Sequence, residues 1–306
     1  MACQLQGICL ECEAFMKHIL LPVDFSSRDA VAAQCATTLA KRFSSSLTML
    51  HVLPAINMAL ELAGGGGGFT VQEVLAHQKL ETEQKLQSFL TGEFQSLKVN
   101  RVLAEGDPAE TIVDYAQTNN VDLIVMPTSG CGAFRRFLLG SVAAKVLHDS
   151  RCPVLTTQHT KELQPDSIWA VHNILCAVQL EPGDDRLIRC AREFTSACGA
   201  TLSIVHAMTS LRPHPETYYL ESDMGRLLAR SVRDKIDHIL SVCGILNAPI
   251  YIEAGISVAG VLRSVVQDHH ADLVVIHRTF GNQNHGRVRA ESFGIIGESP
   301  CPVLSI

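Results

Sequence analysis

Two hydrophobic patterns alternate along the chain. Short, largely apolar runs occur at Leu20–Val23, Leu47–Leu53, Val99–Leu103, Leu123–Met126 and Val154–Thr157. Between them lie longer stretches with helical spacing of apolar positions: Asp29–Arg42, Val71–Phe94, Pro108–Thr118 and Ser141–Asp149. The short runs are continuously apolar rather than alternating, which predicts parallel strands buried on both faces. The longer ones predict helices, the third with Asp107 as N-cap and Pro108 in the first helical position. Strand–helix alternation of this kind specifies an open parallel sheet with helices on both faces.

The pattern occurs twice. Ile19-Leu20-Leu21-Pro22-Val23-Asp24 answers to Ile174-Leu175-Cys176-Ala177-Val178-Gln179, and Leu47–Val52 to Leu202–Ala207. Val121-Asp122-Leu123-Ile124-Val125 answers to Ala271-Asp272-Leu273-Val274-Val275, and Cys152-Pro153-Val154-Leu155 to Cys301-Pro302-Val303-Leu304. Four matches in the same order define an internal duplication. The offset shrinks slightly along the chain, which places extra residues in mid-copy; the glycine run Gly64–Gly68, a flexible surface loop by composition, is where they are expected. The expected organisation is an extension over 1–15, a first domain over 16–158, a linker over 159–167 and a second domain over 168–306. The fold class is α/β, two open parallel-sheet, Rossmann-like domains in tandem. Each copy ends on a short apolar strand, which predicts that the two pair within the chain, face to face, through Val154-Leu155 and Val303-Leu304 rather than leave those edges exposed.

Composition narrows the function. The 306 residues carry 25 Lys and Arg against 31 Asp and Glu, and the resulting charge of −6 argues against a nucleic-acid partner. No apolar run is long enough to span a bilayer. The first residues lack a basic flank followed by an apolar stretch, so the expected compartment is the cytoplasm. Eleven cysteines are scattered through apolar segments; Cys35, Cys176, Cys190, Cys198 and Cys243 are expected as small core residues in a reducing compartment. Cys9 and Cys12, with Cys3 nearby, have no second ligand pair in sequence, so no metal site is expected there.

Ligands of an open parallel sheet sit beyond the carboxyl ends of its strands. In the first copy Asp24 closes the first strand. The fourth runs into Met126-Pro127-Thr128-Ser129-Gly130-Cys131-Gly132, and Gly140-Ser141-Val142 then opens a helix. Gly130 and Gly132 permit close approach of a ligand to the backbone, and a helix entrance offers free N–H groups to phosphate oxygens. Arg135 and Arg136 within the loop could neutralise phosphate, though a solvated pair is the commoner fate.

The chain from Met16 onward resembles a tandem universal stress protein. Gly130, nine residues, and Gly140-Ser141 follow the family's nucleotide loop in order, as do Asp24 and Gly106-Asp107-Pro108. In one departure, Pro127 stands where the family's loop motif has its first glycine; proline fixes φ and has no N–H. The resemblance implies that Asp24 and Val52 hold the adenine and ribose region and that Met126, Gly130, Gly140, Ser141 and Val142 line the phosphate side. Pro22, Val23, Pro127 and Gly132, their neighbours in sequence, complete the expected binding site. In the second copy Gln179 replaces Asp24 and Arg289-Ala290 replaces Gly140-Ser141, so its site is expected to be degenerate.

His51 and His206 fall on equivalent strand positions of the two copies, which suggests a structural role. His269-His270, adjacent and on opposite faces, make a poor chelate. The expected function is a stress-response regulator that binds ATP or a related adenine nucleotide, with or without Mg²⁺, through the first domain. The alternatives are a slow ATP hydrolase and an interaction module without nucleotide. A homodimer is open.

Overall fold

The computed structural model describes residues 16–54, 71–95, 97–128, 139–157, 169–209, 222–278 and 287–306. The cysteines of the extension, the run Gly64–Gly68 and the linker over 159–167 lie outside them. The first half runs β1 (His18–Pro22), α1 (Asp29–Phe43), β2 (Ser46–Leu53), α2 (Val71–Ser88), β3 (Val99–Glu105), α3 (Pro108–Thr118), β4 (Leu123–Pro127), α4 (Ser141–Asp149) and β5 (Val154–Thr157). The second runs β6 (Asn173–Ala177), α5 (Asp184–Cys198), β7 (Thr201–Thr209), α6 (Asp223–Val242), β8 (Ile250–Gly255), α7 (Val258–Asp268), β9 (Leu273–Ile276), α8 (Arg287–Glu298) and β10 (Val303–Ser305).

Two α/β units in tandem share one sheet, ordered β3-β2-β1-β4-β5-β10-β9-β6-β7-β8. Pairing within each half is parallel, and β5 meets β10 antiparallel, with Leu155 opposite Leu304 and Thr156 opposite Val303. The halves therefore join edge to edge, not face to face as expected. Continuing the hydrogen-bonded ladder satisfies the edge groups of both strands at once, which stacking the faces would not do.

Alternate residues of each strand feed opposite layers. Ile19 and Leu21 join a core with α1, α2, α5 and α6, while Leu20 joins one with α3, α4, α7 and α8. Both layers run through both halves; in the first, Phe43 of α1 meets Phe194 of α5 edge-on at 5.2 Å. Arg278, half-buried beside the junction, donates to the Cys152 carbonyl of the first half at 2.9 Å, and burial pulls its pKa down to about 10.

Local chemistry sets the element ends. Asp107 accepts from the Glu110 amide at 3.0 Å and Pro108 follows, so α3 starts as expected. Helix α2 stops at Ser88 rather than Phe94. Leu90 turns left-handed (φ 52°), Arg101 of β3 donates to the Leu86 and Phe89 carbonyls, and Phe94 folds back into the core. Cys35, Cys176, Cys190 and Cys243 are buried free thiols, Cys198 is half-buried, and burial raises all five pKa values, that of Cys190 to about 12. Among the described residues, no helix is long and apolar enough to cross a membrane.

Candidate functional site

Strand order reverses between β1 and β4, whose neighbours lie on opposite sides, and a crevice opens beyond their carboxyl ends. A cavity of about 500 Å³ occupies it. Pro22, Val23, Leu50, Val52, Met126 and Pro127 line it from the strand ends; Pro108 and Ile112 line it from α3, and Gly140, Ser141, Val142 and Ala143 from α4. Asp24 and Asp29 bring carboxylates to the β1 side. The lining is thus mostly apolar with a few polar groups, the usual make-up of a small-molecule site.

Two helix starts face this space, and they differ. The first turn of α3 is closed by Asp107, which with Glu110 also binds Lys145 of α4 (3.4 and 2.7 Å). Among the described residues, no side chain caps α4. The N–H of Gly140 is taken by the Thr128 carbonyl at 2.7 Å and its own carbonyl by the Ala144 amide, so the helix entrance is anchored while the amides of Ser141, Val142 and Ala143 head the helix. With the dipole behind them, these amides form an anion-receptive corner.

The opposite corner is acidic. After β1 the chain turns through Phe25 in the left-handed region (φ 63°). The turn is held by Asp29, whose Oδ2 accepts from the amides of Asp24 and Ser26, both at 3.1 Å. The Asp24 carboxylate also accepts from the Ser26 amide, at 3.0 Å. Asp29 is 1% exposed. Burial, and secondarily the Asp24 charge, push its carboxyl up to about 7 despite the amides that favour the ionised form. His51 of β2 donates through Nδ1 to the Val23 carbonyl at 2.8 Å, and burial lowers its pKa. Its ring packs on Phe25 at 4.2 Å, and the Lys85 ammonium lies over the same Phe25 ring, 4.3 Å from its centre.

Nine residues read from sequence therefore surround one cavity: Pro22, Val23, Asp24, Val52, Met126, Pro127, Gly140, Ser141 and Val142. Gly130 and Gly132 lie outside the described residues, as do Cys131, Arg135 and Arg136. Asp29 and His51 line the cavity without having been singled out for it. Their only sequence signal is duplication: Asp29 matches Asp184 and His51 matches His206.

The second half keeps the frame and changes the chemistry. Leu180 is left-handed like Phe25 (φ 62°), Asp184 accepts from its amide at 2.7 Å, and His206 donates to the Val178 carbonyl at 2.9 Å. Yet Gln179 stands for Asp24 and His277 for Pro127, with His277 Nε2 3.5 Å from the buried Asp184 carboxylate. Helix α8 begins at Arg287, so the matches to Gly140 and Ser141, Arg289 and Ala290, lie inside the helix instead of at its entrance. His269 stacks on Tyr251 at 3.8 Å, and His270 makes the left-handed turn before β9.

Comparison with known proteins agrees with this architecture. The model of the universal stress protein family matches residues 16–158. A universal stress protein of Methanocaldococcus jannaschii is 32% identical over 150 residues, covering 49% of this chain and 86% of that one. One of Mycolicibacterium smegmatis is 26% identical over 216 residues, covering 69% and 71%. The solved structure of a universal stress protein from Archaeoglobus fulgidus shares the fold over 95% of this chain and 96% of its own, with a TM-score of 0.65 at 20% identity. With its duplicated sheet and a first half that matches the family from end to end, the chain belongs to the universal stress protein family.

Proposed function

We propose that this protein is a cytoplasmic stress-response regulator that binds ATP or a related adenine nucleotide in its first domain, residues 16–158. The second domain, residues 168–306, serves as its structural partner with a degenerate site. The observation that carries the reading is the uncapped entrance of α4 at the switch-point cavity, opposite a carboxylate corner. The Ser141–Ala143 amides suit phosphate oxygens, and Asp24 suits hydroxyl or amino donors of the nucleoside. The apolar strand ends between them suit a flat base. Gln179 replaces Asp24, and Arg289 and Ala290 fall within α8 rather than at its entrance, which supports one site per chain.

Calorimetric titration of the full chain with ATP, alongside native mass spectrometry of freshly purified protein, tests this. One adenine nucleotide per chain is expected. Two equivalent sites would contradict the assignment to the first domain, and no binding would leave the protein an interaction module.

A further inference from the structure

The two buried aspartates that hold the post-β1 and post-β6 turns have the same backbone task and opposite electrostatic company. Asp184 faces an imidazole at 3.5 Å, and the residue that stands in the place of Asp24 on its turn is the neutral Gln179. Asp29 faces a second carboxylate: its Oδ2 and the Oδ1 of Asp24 both accept from the Ser26 amide, at 3.1 and 3.0 Å. Two oxygens this close to one nitrogen lie no more than about 6 Å apart, within range of mutual repulsion. Asp29 is also shut off from water while lining the cavity.

From this geometry we infer that Asp29 is a proton-exchanging member of the cavity, which takes up a proton as an anionic ligand enters and releases it as the ligand leaves. The inference rests on the nucleotide reading above for the identity of the ligand.

The surrounding charges support it. Asp24, on the same turn, is the charged side chain that acts on Asp29, and it disfavours ionisation. Arg28 precedes it in the chain. From β2, His51 is disposed by burial to be neutral; from α2, Lys85 sits over Phe25 and acts on His51. On β4 the neutral Pro127 stands where His277 faces Asp184 in the other half. Burial and Asp24 together bring the Asp29 carboxyl to about 7, where a further negative charge tips it to the neutral form. A nucleotide phosphate is such a charge, and it excludes more water as it binds.

The test is ATP affinity between pH 6 and 8 for the parent and for Asp29→Asn, which keeps an oxygen for the Asp24 and Ser26 amides but cannot ionise. ATP has its own titrating phosphate, near pH 6, which both proteins share. The ratio of their affinities therefore isolates Asp29. Relative to the variant, the parent is expected to weaken by up to about tenfold per pH unit above 7, the limit for one linked proton. A ratio constant with pH overturns the inference and leaves the nucleotide reading intact. Carbon-13 NMR of the aspartate carboxyls in the ligand-free parent supplies a readout that needs neither the variant nor ATP. One carboxyl is expected to titrate near 7, and all midpoints in the ordinary range near 4 overturn the inference. Absence of ATP binding at every pH overturns the nucleotide reading and proton-linked nucleotide uptake with it, while the carboxyl titration still decides whether Asp29 holds its proton at neutral pH.

Discussion

Leu155 of β5 lies directly opposite Leu304 of β10, both fully buried, at the one antiparallel seam of the shared sheet. Both belong to the same apolar layer, which runs unbroken from one domain to the other. Two domains sharing a ladder and a core should unfold together. Leu304→Ala is expected to destabilise the protein by about 2–5 kcal/mol, the range for a large side chain removed from a packed interior. Leu246→Ala, at a site 88% exposed, should stay within about 0.5 kcal/mol. Urea unfolding can be followed by circular dichroism and by fluorescence of the single, buried Trp169. Coincident transitions are expected; separate ones would mean that the seam does not couple the domains.

Gly140 adopts φ −64° and ψ 150°, an extended conformation open to any residue, so Gly140→Val should fold normally. If a phosphate rests on the amides that follow, a branched side chain at this entrance should obstruct it and reduce ATP affinity more than any single hydroxyl deletion. Ser141→Ala removes one such hydroxyl, about 0.5–1.5 kcal/mol or roughly two- to tenfold in affinity. Calorimetry on both variants checks the order of the effects. A Gly140→Val protein that binds ATP as the parent does would place the phosphate elsewhere.

The duplication, the strand–helix order and the start of α3 were legible because each follows from local patterns: continuous apolar runs, helical spacing, Asp107 before Pro108. So was the grouping of Asp24 with Gly140 and Ser141, since all end strands or open helices on one side of a parallel sheet. Asp29 was not. An acid in the first turn of a helix reads as a dipole partner on the surface, and its burial depends on Phe25 adopting a left-handed turn that no propensity would assign to phenylalanine. The geometry of the seam is not legible in the sequence for a related reason. Side chains announce that β5 and β10 must be covered, but the demand for edge pairing resides in backbone groups that every residue carries. Leu90 and Phe94 continue the apolar spacing of α2 past its end, while what ends the helix is Arg101, distant in sequence.

Gly106 links β3 to α3 and fixes where the cavity wall begins. Its φ of +147° is strained for any other residue, and a Cβ there would lie 2.6 Å from Thr111 Oγ1. Gly106→Ala is expected to cost about 1–3 kcal/mol. Pro108 and Ile112 line the cavity, so the same variant should also weaken ligand binding. Adding Thr111→Ala removes the clash but not the backbone strain, so thermal unfolding of the double variant should recover part of the loss. Full recovery would show that φ at this position carries no cost.

Asp29 also makes a signed prediction about stability in the absence of any ligand. Its folded-state pKa, about 7, lies above the ordinary 3.8. Below pH 4 the carboxyl is protonated whether the chain is folded or not, and its contribution is fully favourable there. As pH rises, the unfolded chain releases the proton first, and stability falls by up to about 1.4 kcal/mol per pH unit until the folded carboxyl ionises near 7. Above that the contribution is flat. Asp29→Asn removes this term and leaves the other titrating groups in place, so the stability of the parent relative to the variant should decline between about pH 4 and 7 and then level off. Urea unfolding of both proteins at one-unit pH intervals measures the difference directly. A difference that rises with pH instead would mean that Asp29 is held ionised by its two amides, with Asp24 and burial too weak to matter.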